Sequence, residues 1–148
     1  MLLRAVPLIL ATAIAVPSIA LSQGAVGAAG RTVWSGVYSP AQVERGTAAY
    51  AQHCASCHGD SLAGGDQAPP LAGGTFLANW NGQDAGALFT RIKTTMPLDN
   101  PGSLGGATVA AIEAMILARN GFPAGQADLP PDAAAQTAIA ITPTKPAG

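Results

Sequence analysis

A single pentapeptide, Cys54-Ala55-Ser56-Cys57-His58, contains both cysteines of the 148-residue chain. Cysteines this close together cannot join distant segments, so they do not form the disulfide framework of a small exported fold. Two thiols separated by two residues can span one edge of a porphyrin as thioethers, and a histidine directly after them is tethered beneath the iron. The pattern therefore predicts a covalently bound haem c, with Cys54 and Cys57 as attachment sites and His58 as an axial ligand of the iron.

Two other kinds of site use cysteines at this spacing. A thioredoxin-like dithiol requires a βαβ setting, and the chain lacks the alternating apolar and polar pattern of strands. A structural zinc ion takes four ligands, and the other histidine, His53, directly precedes Cys54 and is poorly aimed to complete such a site. Haem attachment is preferred because it accounts for His58.

The remaining composition is short of bulky core material, since aromatic residues make up only 5% of the chain, which also contains 18 glycines and 12 prolines. An enclosed haem would offset that deficit, because burial of apolar area stabilises a fold by roughly 25 cal/mol per Å². The formal net charge is −1 and the seven Lys and Arg residues form no basic run, which argues against nucleic acid as a partner.

The first residues have the pattern of a secretory leader. A basic start is followed by the apolar run 5–21 and then by small residues that offer cleavage points between 22 and 30. An uncleaved membrane anchor is the alternative, but Pro7 and Pro17 interrupt the run, which also falls short of the about 20 apolar residues that span a bilayer. We therefore expect residues 1–28 to be a bacterial-type signal peptide and the mature protein to be periplasmic, with no stable membrane span after cleavage.

Helix signals are clearest after residue 38. Ser39 followed by Pro40 and Gln42 reads as a capping box with proline at the first helical position, and predicts a helix over 40–53 in which Gly46 allows a close helix crossing. Apolar periodicity and end signals predict further helices over 75–80, 84–94 and 108–119. The Gly-, Ala-, Asp- and Pro-rich stretch 59–74 predicts an Ω-like loop.

Met96 is the leading candidate for the second axial ligand of the iron. It follows the helix predicted over 84–94 and precedes Pro97, so it lies on a constrained loop. Met1 belongs to the leader, and Met115 lies within a helix on an apolar row, where core packing is the simpler interpretation. A loop methionine that only fills a gap remains the alternative for Met96.

Three further tracts complete a family pattern: Ala-Pro-Pro-Leu-Ala-Gly at 68–73, Phe-Leu-Ala-Asn-Trp-Asn at 76–81 and Thr-Thr-Met-Pro at 94–97. Together with the pentapeptide they resemble the class I cytochrome c family, and most resemble the cytochrome subunits and domains that accompany quinoprotein (PQQ) alcohol dehydrogenases. The resemblance implies an all-α cytochrome c fold of about four helices and loops around one haem. It also implies an electron carrier, not an enzyme, whose partners are a dehydrogenase donor and a cytochrome or oxidase acceptor in the respiratory chain.

Carried over residue by residue, the resemblance gives Pro69 the carbonyl that accepts a hydrogen bond from the axial imidazole, and Leu71 a place in the haem wall. Gly46 and Tyr50 match the crossing of the family's first and last helices. The chain departs from the family at Met115, where many relatives have an aromatic residue, and this puts the stability of that crossing in doubt.

Two polar side chains are candidates for the haem propionates. Trp80 could direct its indole N–H toward a propionate or simply pack in the core, and Arg91 could pair with a propionate or remain solvated.

The predicted organisation is a signal peptide, a cytochrome c domain over 33–125 and a Pro/Ala-rich tail over 126–148. The tail is expected to be disordered because it offers little apolar bulk. A haem-based ligand sensor or peroxidase-like protein with a labile Met96 ligand is the alternative function.

Overall fold

The computed structural model describes residues 30–146 and is built almost entirely of helices and loops. The signal peptide predicted over 1–28 lies outside the described residues. Two-residue strands, β1 (Arg31–Thr32) and β2 (Ile139–Ala140), pair in parallel, and a single 3₁₀ turn, Val33–Ser35, follows β1. The helices are α1 (Pro40–His53), α2 (Ala55–His58), α3 (Gly74–Trp80), α4 (Ala85–Thr95), α5 (Gly106–Arg119) and α6 (Ala133–Gln136). This confirms the predicted all-α class, and none of the described helices is long and apolar enough to cross a bilayer.

The four helices predicted from the sequence are present, with ends that differ by no more than two residues. α1 begins as expected, because the Ser39 hydroxyl accepts a hydrogen bond from the Gln42 amide at 3.1 Å. The Gln42 side chain does not form the expected hydrogen bond with the backbone amide of Ser39. Its amide group instead binds both backbone groups of Leu129, at 3.0 Å and 2.7 Å. The second hydrogen bond of the capping pattern is thus replaced by a long-range contact.

The centre of the fold is the crossing of α1 and α5. A Cβ atom placed on Gly46 of α1 would lie 1.9 Å from the Ala111 carbonyl oxygen and 3.0 Å from Met115 Cβ, so the two backbones touch at this point. Met115 is 1% exposed and Tyr50 4% exposed. The predicted role of Gly46 is confirmed, and the methionine at position 115 is fully packed within the crossing.

The prediction that 126–148 is disordered is wrong for the part that the structure describes. We call residues 126–146 the C-terminal segment. It contains α6 and β2, and three of its apolar side chains, Leu129, Ile139 and Ile141, are almost completely buried. The folded domain therefore extends well beyond the predicted boundary at 125.

Main-chain contacts explain why a segment with so few bulky apolar residues is ordered. β2 pairs with β1, Ile141 donates its amide to Gln83 at 2.8 Å, and the Trp34 indole donates to Thr142 at 2.9 Å. Two helical glycines allow close approach. A Cβ on Gly86 would lie 2.4 Å from the Ala133 carbonyl, and one on Gly106 would lie 2.3 Å from the Pro131 carbonyl.

Glu113 is a buried carboxyl at the interface between α5 and the C-terminal segment. It is 0% exposed, and neither of its oxygens has a hydrogen-bond partner among the described residues that meets normal geometry. Burial raises the pKa of Glu113 well above its ordinary value. The neighbouring Gln136 side chain partly lowers this pKa, whereas the charge of Asp84 raises it further. A protonated Glu113 can donate to the unpartnered Gln136 carbonyl oxygen, so the neutral acid is the form that fits the interface.

Gly46→Ala should destabilise the protein by about 3 kcal/mol, because the added methyl group meets backbone atoms of α5 that cannot move independently. Urea unfolding of the haem-loaded protein measures the change. Gly74→Ala is the matched control, since nothing lies within 4 Å of its Cβ position at the start of α3. Equal stability of the two variants would contradict the close crossing.

Glu113→Gln should stabilise the protein increasingly as pH rises. The folded chain retains the Glu113 proton at pH values where the unfolded chain has lost it, so wild-type stability declines as pH rises, by at most about 1.4 kcal/mol per pH unit. Unfolding free energies of both proteins between about pH 4 and pH 8 measure the divergence. Glu44→Gln on the exposed face of α1 serves as the control and should show no comparable divergence. Parallel curves for wild type and Glu113→Gln would argue against a neutral buried acid.

Candidate haem-binding site

A cavity of about 1100 Å³ lies between the pentapeptide, the loop that follows it, and helices α3, α4 and α5. Every residue predicted to form the site contributes to its lining. These residues are Cys54, Cys57, His58, Pro69, Leu71, Trp80, Arg91 and Met96. The fold therefore brings together, around one space, side chains that come from four separate stretches of the sequence.

The pentapeptide is shaped by the end of α1. The Cys54 amide donates to Tyr50 O at 2.9 Å, after which Cys54 leaves helical geometry and α2 begins as a new single turn. Within that turn the His58 amide donates to Cys54 O at 3.0 Å. This turn brings Cys54, Cys57 and His58 together, and all three line the same cavity.

His58 is held in the orientation that a metal ligand requires. Its side chain is buried, at 7% exposure, and its Nδ1 lies 2.9 Å from Pro69 O. A carbonyl oxygen can only accept, so Nδ1 carries a proton, and in the neutral ring Nε2 therefore keeps its lone pair. The hydrogen bond to Pro69 also makes the imidazole a stronger donor to a metal. This is the contact that the family resemblance implied.

Tyr50 supports the pentapeptide in a way that the sequence did not reveal. Its hydroxyl donates to Gly59 O at 2.7 Å, directly after His58. Burial raises the pKa of this phenol to about 12, with smaller contributions from Cys54 and Asp60. Tyr50 therefore remains a neutral donor at physiological pH and fixes the exit from α2.

The walls of the cavity are mainly apolar, and its rim is polar. Trp80 packs against Phe76 with ring centroids 6.2 Å apart and is half-buried, whereas Arg91 is exposed at the rim. Within residues 30–146 neither the Trp80 indole nor the Arg91 guanidinium forms a hydrogen bond with another protein group. The apolar lining comprises Leu71, Phe76, Leu88, Ile92, Ile112 and Ile116.

Met96 reaches the same cavity from a different element. It is the C-cap of α4, its amide donates to Ile92 O at 3.0 Å, and its side chain is half-buried against the core. Met115, by contrast, is enclosed in the crossing of α1 and α5 and does not line the cavity. Of these two methionines, Met96 lines the cavity and Met115 does not.

The donor set and the space fit a haem c. Two thiols that line one cavity, a buried imidazole whose Nε2 is not hydrogen-bonded within the described residues and a thioether are the groups that attach and ligate it. The apolar walls suit a large flat macrocycle. When bound, the haem supplies an iron that alternates between the ferric and ferrous states and so carries one electron.

The alternatives for the cysteines lose support. Burial, and then the neighbouring Cys57, raise the pKa of the Cys54 thiol to about 11, whereas a dithiol redox centre needs a lowered thiol pKa. The described residues contain no βαβ unit, and among them no cluster of three or more His, Cys, Asp or Glu side chains is placed to hold a metal ion.

The fold and the site together define a c-type cytochrome domain. The family described as cytochrome c oxidase, cbb3-type, subunit III matches residues 41–116, just over half of the chain. The chain belongs to this family of cytochrome c domains. Its predicted cytochrome c fold is thereby confirmed, and the domain implies electron transfer to and from redox partner proteins.

One solved structure is similar to the chain: the crystal structure of the sulfane dehydrogenase SoxCD from Paracoccus pantotrophus. The identity is 25%, the match covers 64% of this chain and 55% of that chain, and the TM-score is 0.46. The chain thus spans about half the length of that solved chain. No curated protein matches the chain.

Met96→Ala should remove the sulfur-to-iron charge-transfer band of the oxidised haem protein and open the iron to cyanide and imidazole, because Met96 is the thioether that lines the cavity. Optical spectra and ligand-binding rates measure both effects. Met115→Leu is the control and should keep the band, at a stability cost below about 1.5 kcal/mol. A band that survives in Met96→Ala would exclude Met96 as the ligand.

Proposed function

We propose that the protein is a periplasmic mono-haem c-type cytochrome that accepts electrons from a dehydrogenase and passes them to the respiratory chain. The observation that carries the proposal is the convergence of Cys54, Cys57, His58 and Met96 on one apolar cavity. Both cysteines of the chain belong to the pentapeptide, which supports a single site of haem attachment.

Electron transfer without substrate turnover follows from the ligand arrangement. His58, oriented by Pro69, and Met96 approach the cavity from different elements and would occupy both axial positions. No coordination position then remains for a substrate. This favours an electron carrier over a haem sensor or peroxidase.

The thioether of Met96 would also set the direction of transfer. Soft sulfur favours the ferrous state of iron and raises the reduction potential relative to a nitrogen or oxygen ligand. A raised potential suits a protein that receives electrons from a reduced organic cofactor.

The mouth of the cavity provides a surface for a redox partner. Cys57 and Arg91 are exposed there, and Leu98 is a large apolar side chain that is 74% exposed. The chain has a net charge close to zero, so shape and apolar contact would guide docking more than long-range attraction. Such a complex would be weak and short-lived, as electron delivery requires.

The donor that we propose is a quinoprotein dehydrogenase. The support is the likeness of three tracts, 68–73, 76–81 and 94–97, to cytochromes that accompany PQQ-dependent alcohol dehydrogenases. Pro69, Trp80 and Met96 within these tracts line the cavity. The likeness therefore involves the surroundings of the haem and not only remote surface. The leader pattern of residues 1–28 supports the periplasmic location in which such dehydrogenases could be met.

The test begins with the full chain produced in a host that exports and matures c-type cytochromes. Mass spectrometry should show a mature protein that has lost its leader and gained the mass of one haem, and Cys54 and Cys57 should resist alkylation. A double Cys54→Ser, Cys57→Ser variant is the control and should be colourless. Colourless wild-type protein would refute the proposal.

Stopped-flow mixing then tests the donor. A substrate-reduced PQQ-dependent alcohol dehydrogenase should reduce the ferric cytochrome within the enzyme's turnover time, whereas a flavin-dependent dehydrogenase of similar charge should do so far more slowly. Failure with the quinoprotein would exclude this donor while leaving the haem assignment intact. Rapid cyanide binding to the wild type would instead favour the sensor or peroxidase alternative.

A further inference from the structure

The Pro69 carbonyl that orients His58 belongs to a segment with few hydrogen-bond donors of its own. Pro69 and Pro70 have no backbone N–H, so neither can donate to a neighbouring element. The segment is fixed before them by two hydrogen bonds between Gly65 and Ala68, at 2.9 Å and 3.3 Å. The orientation of the Pro69 carbonyl therefore depends on the contacts that fix the residues after Pro70.

These residues are held through Leu71 and Gly73. The Leu71 amide donates to Leu62 O at 2.8 Å, within the same loop. The Gly73 carbonyl accepts from the Leu77 amide at 3.0 Å, which joins the loop to α3. Two further bonds come from Asn120, at the C-terminal end of α5. Its Nδ2 donates to Leu71 O at 2.9 Å, and its Oδ1 accepts from the Gly73 amide at 3.0 Å.

Asn120 is itself fixed by hydrogen bonds to α5. Its second Nδ2 hydrogen goes to Ile116 O at 2.9 Å, so both amide hydrogens are used. Its backbone amide donates to Ile116 O and Leu117 O, each at 3.1 Å. α5 is the most deeply buried helix of the described fold and crosses α1 at Gly46, so the loop is tied to a helix that is packed on several sides.

We propose that Asn120 is a positioning residue for the haem site, which ties Leu71 and Gly73 to α5 and thereby holds the Pro69 carbonyl against His58 Nδ1. The inference rests on the proposed function, since it concerns the ligand strength of His58. Asn120 does not touch the cavity and acts through the loop alone.

The hydrogen bond from Nδ1 gives the imidazole more electron density, and a richer donor favours ferric iron. If the loop loosens, that hydrogen bond weakens on average, and the ferrous state becomes more stable relative to the ferric state. Loss of the Asn120 amide should therefore raise the midpoint potential, while the Met96 side of the site is unchanged.

The experiment uses Asn120→Leu, which keeps a similar volume without polar groups, and Asn120→Ala. The control is Asn81→Ala, because Asn81 also ends a helix, is exposed, and its side chain forms no hydrogen bond within residues 30–146. Both Asn120 variants should show an upward shift of the midpoint potential. Exchange of the His58 Nδ1 proton with solvent, followed by NMR on the ferrous protein, should accelerate by about tenfold. The control should match wild type in both measurements.

A merely structural role for Asn120 would lower stability but leave the potential and the Nδ1 exchange rate unchanged, and that result would overturn the proposal. Retention of the sulfur-to-iron band in the variants shows that the distal side is intact, so a shift then originates at His58. Wild-type protein without haem would refute the proposed function. Haem-loaded variants with an unshifted potential would refute only the role of Asn120.

A measurement on the wild type covers the case in which the variants do not fold. Gly73 is exposed, and its amide is bonded to the Asn120 side chain. Its amide hydrogen should exchange about tenfold more slowly than expected for an exposed loop glycine. Unprotected exchange at Gly73 would also overturn the proposal.

Discussion

The contact between the backbones of α1 and α5 at Gly46 is the constraint on which the rest of this structure depends. α1 ends at the pentapeptide, so the angle at which it leaves the crossing determines where Cys54 and His58 lie. α5 supplies Ile112 and Ile116 to the cavity wall. One small residue thereby fixes the separation between the attachment side of the site and its apolar back wall.

The two faces of α5 serve different purposes. One faces the cavity, and the other packs against the C-terminal segment, where it places the buried Glu113 carboxyl. A helix of such composition has little amphipathic contrast, because most of its residues are buried. The short domain thus builds its core around a single helix, with the cavity as the second apolar region that a haem would fill.

Much of this could be predicted because the signals were local. The pentapeptide, the Ser39 cap, the glycine in α1 and the placement of Met96 before Pro97 each depend on a few neighbouring residues, and the structure places them as their spacing indicated. The C-terminal segment could not be predicted from its composition, since its order comes from main-chain bonds to β1, Gln42 and Gln83 that no local pattern encodes. Asn120 was missed for the same reason, because its two partners in the loop are almost fifty positions earlier in the chain. Gly86 and Gly106, unusual within helices, were the only available hint that another segment lies close to α4 and α5.

The pairing of β1 with β2 brings Arg31 beside Ile139 and Thr32 beside Ala140. The start of the described fold therefore lies beside the C-terminal segment, and none of these four residues lines the cavity. An affinity tag or a fused module joined ahead of β1 would therefore start next to the C-terminal segment and not among the residues that line the cavity.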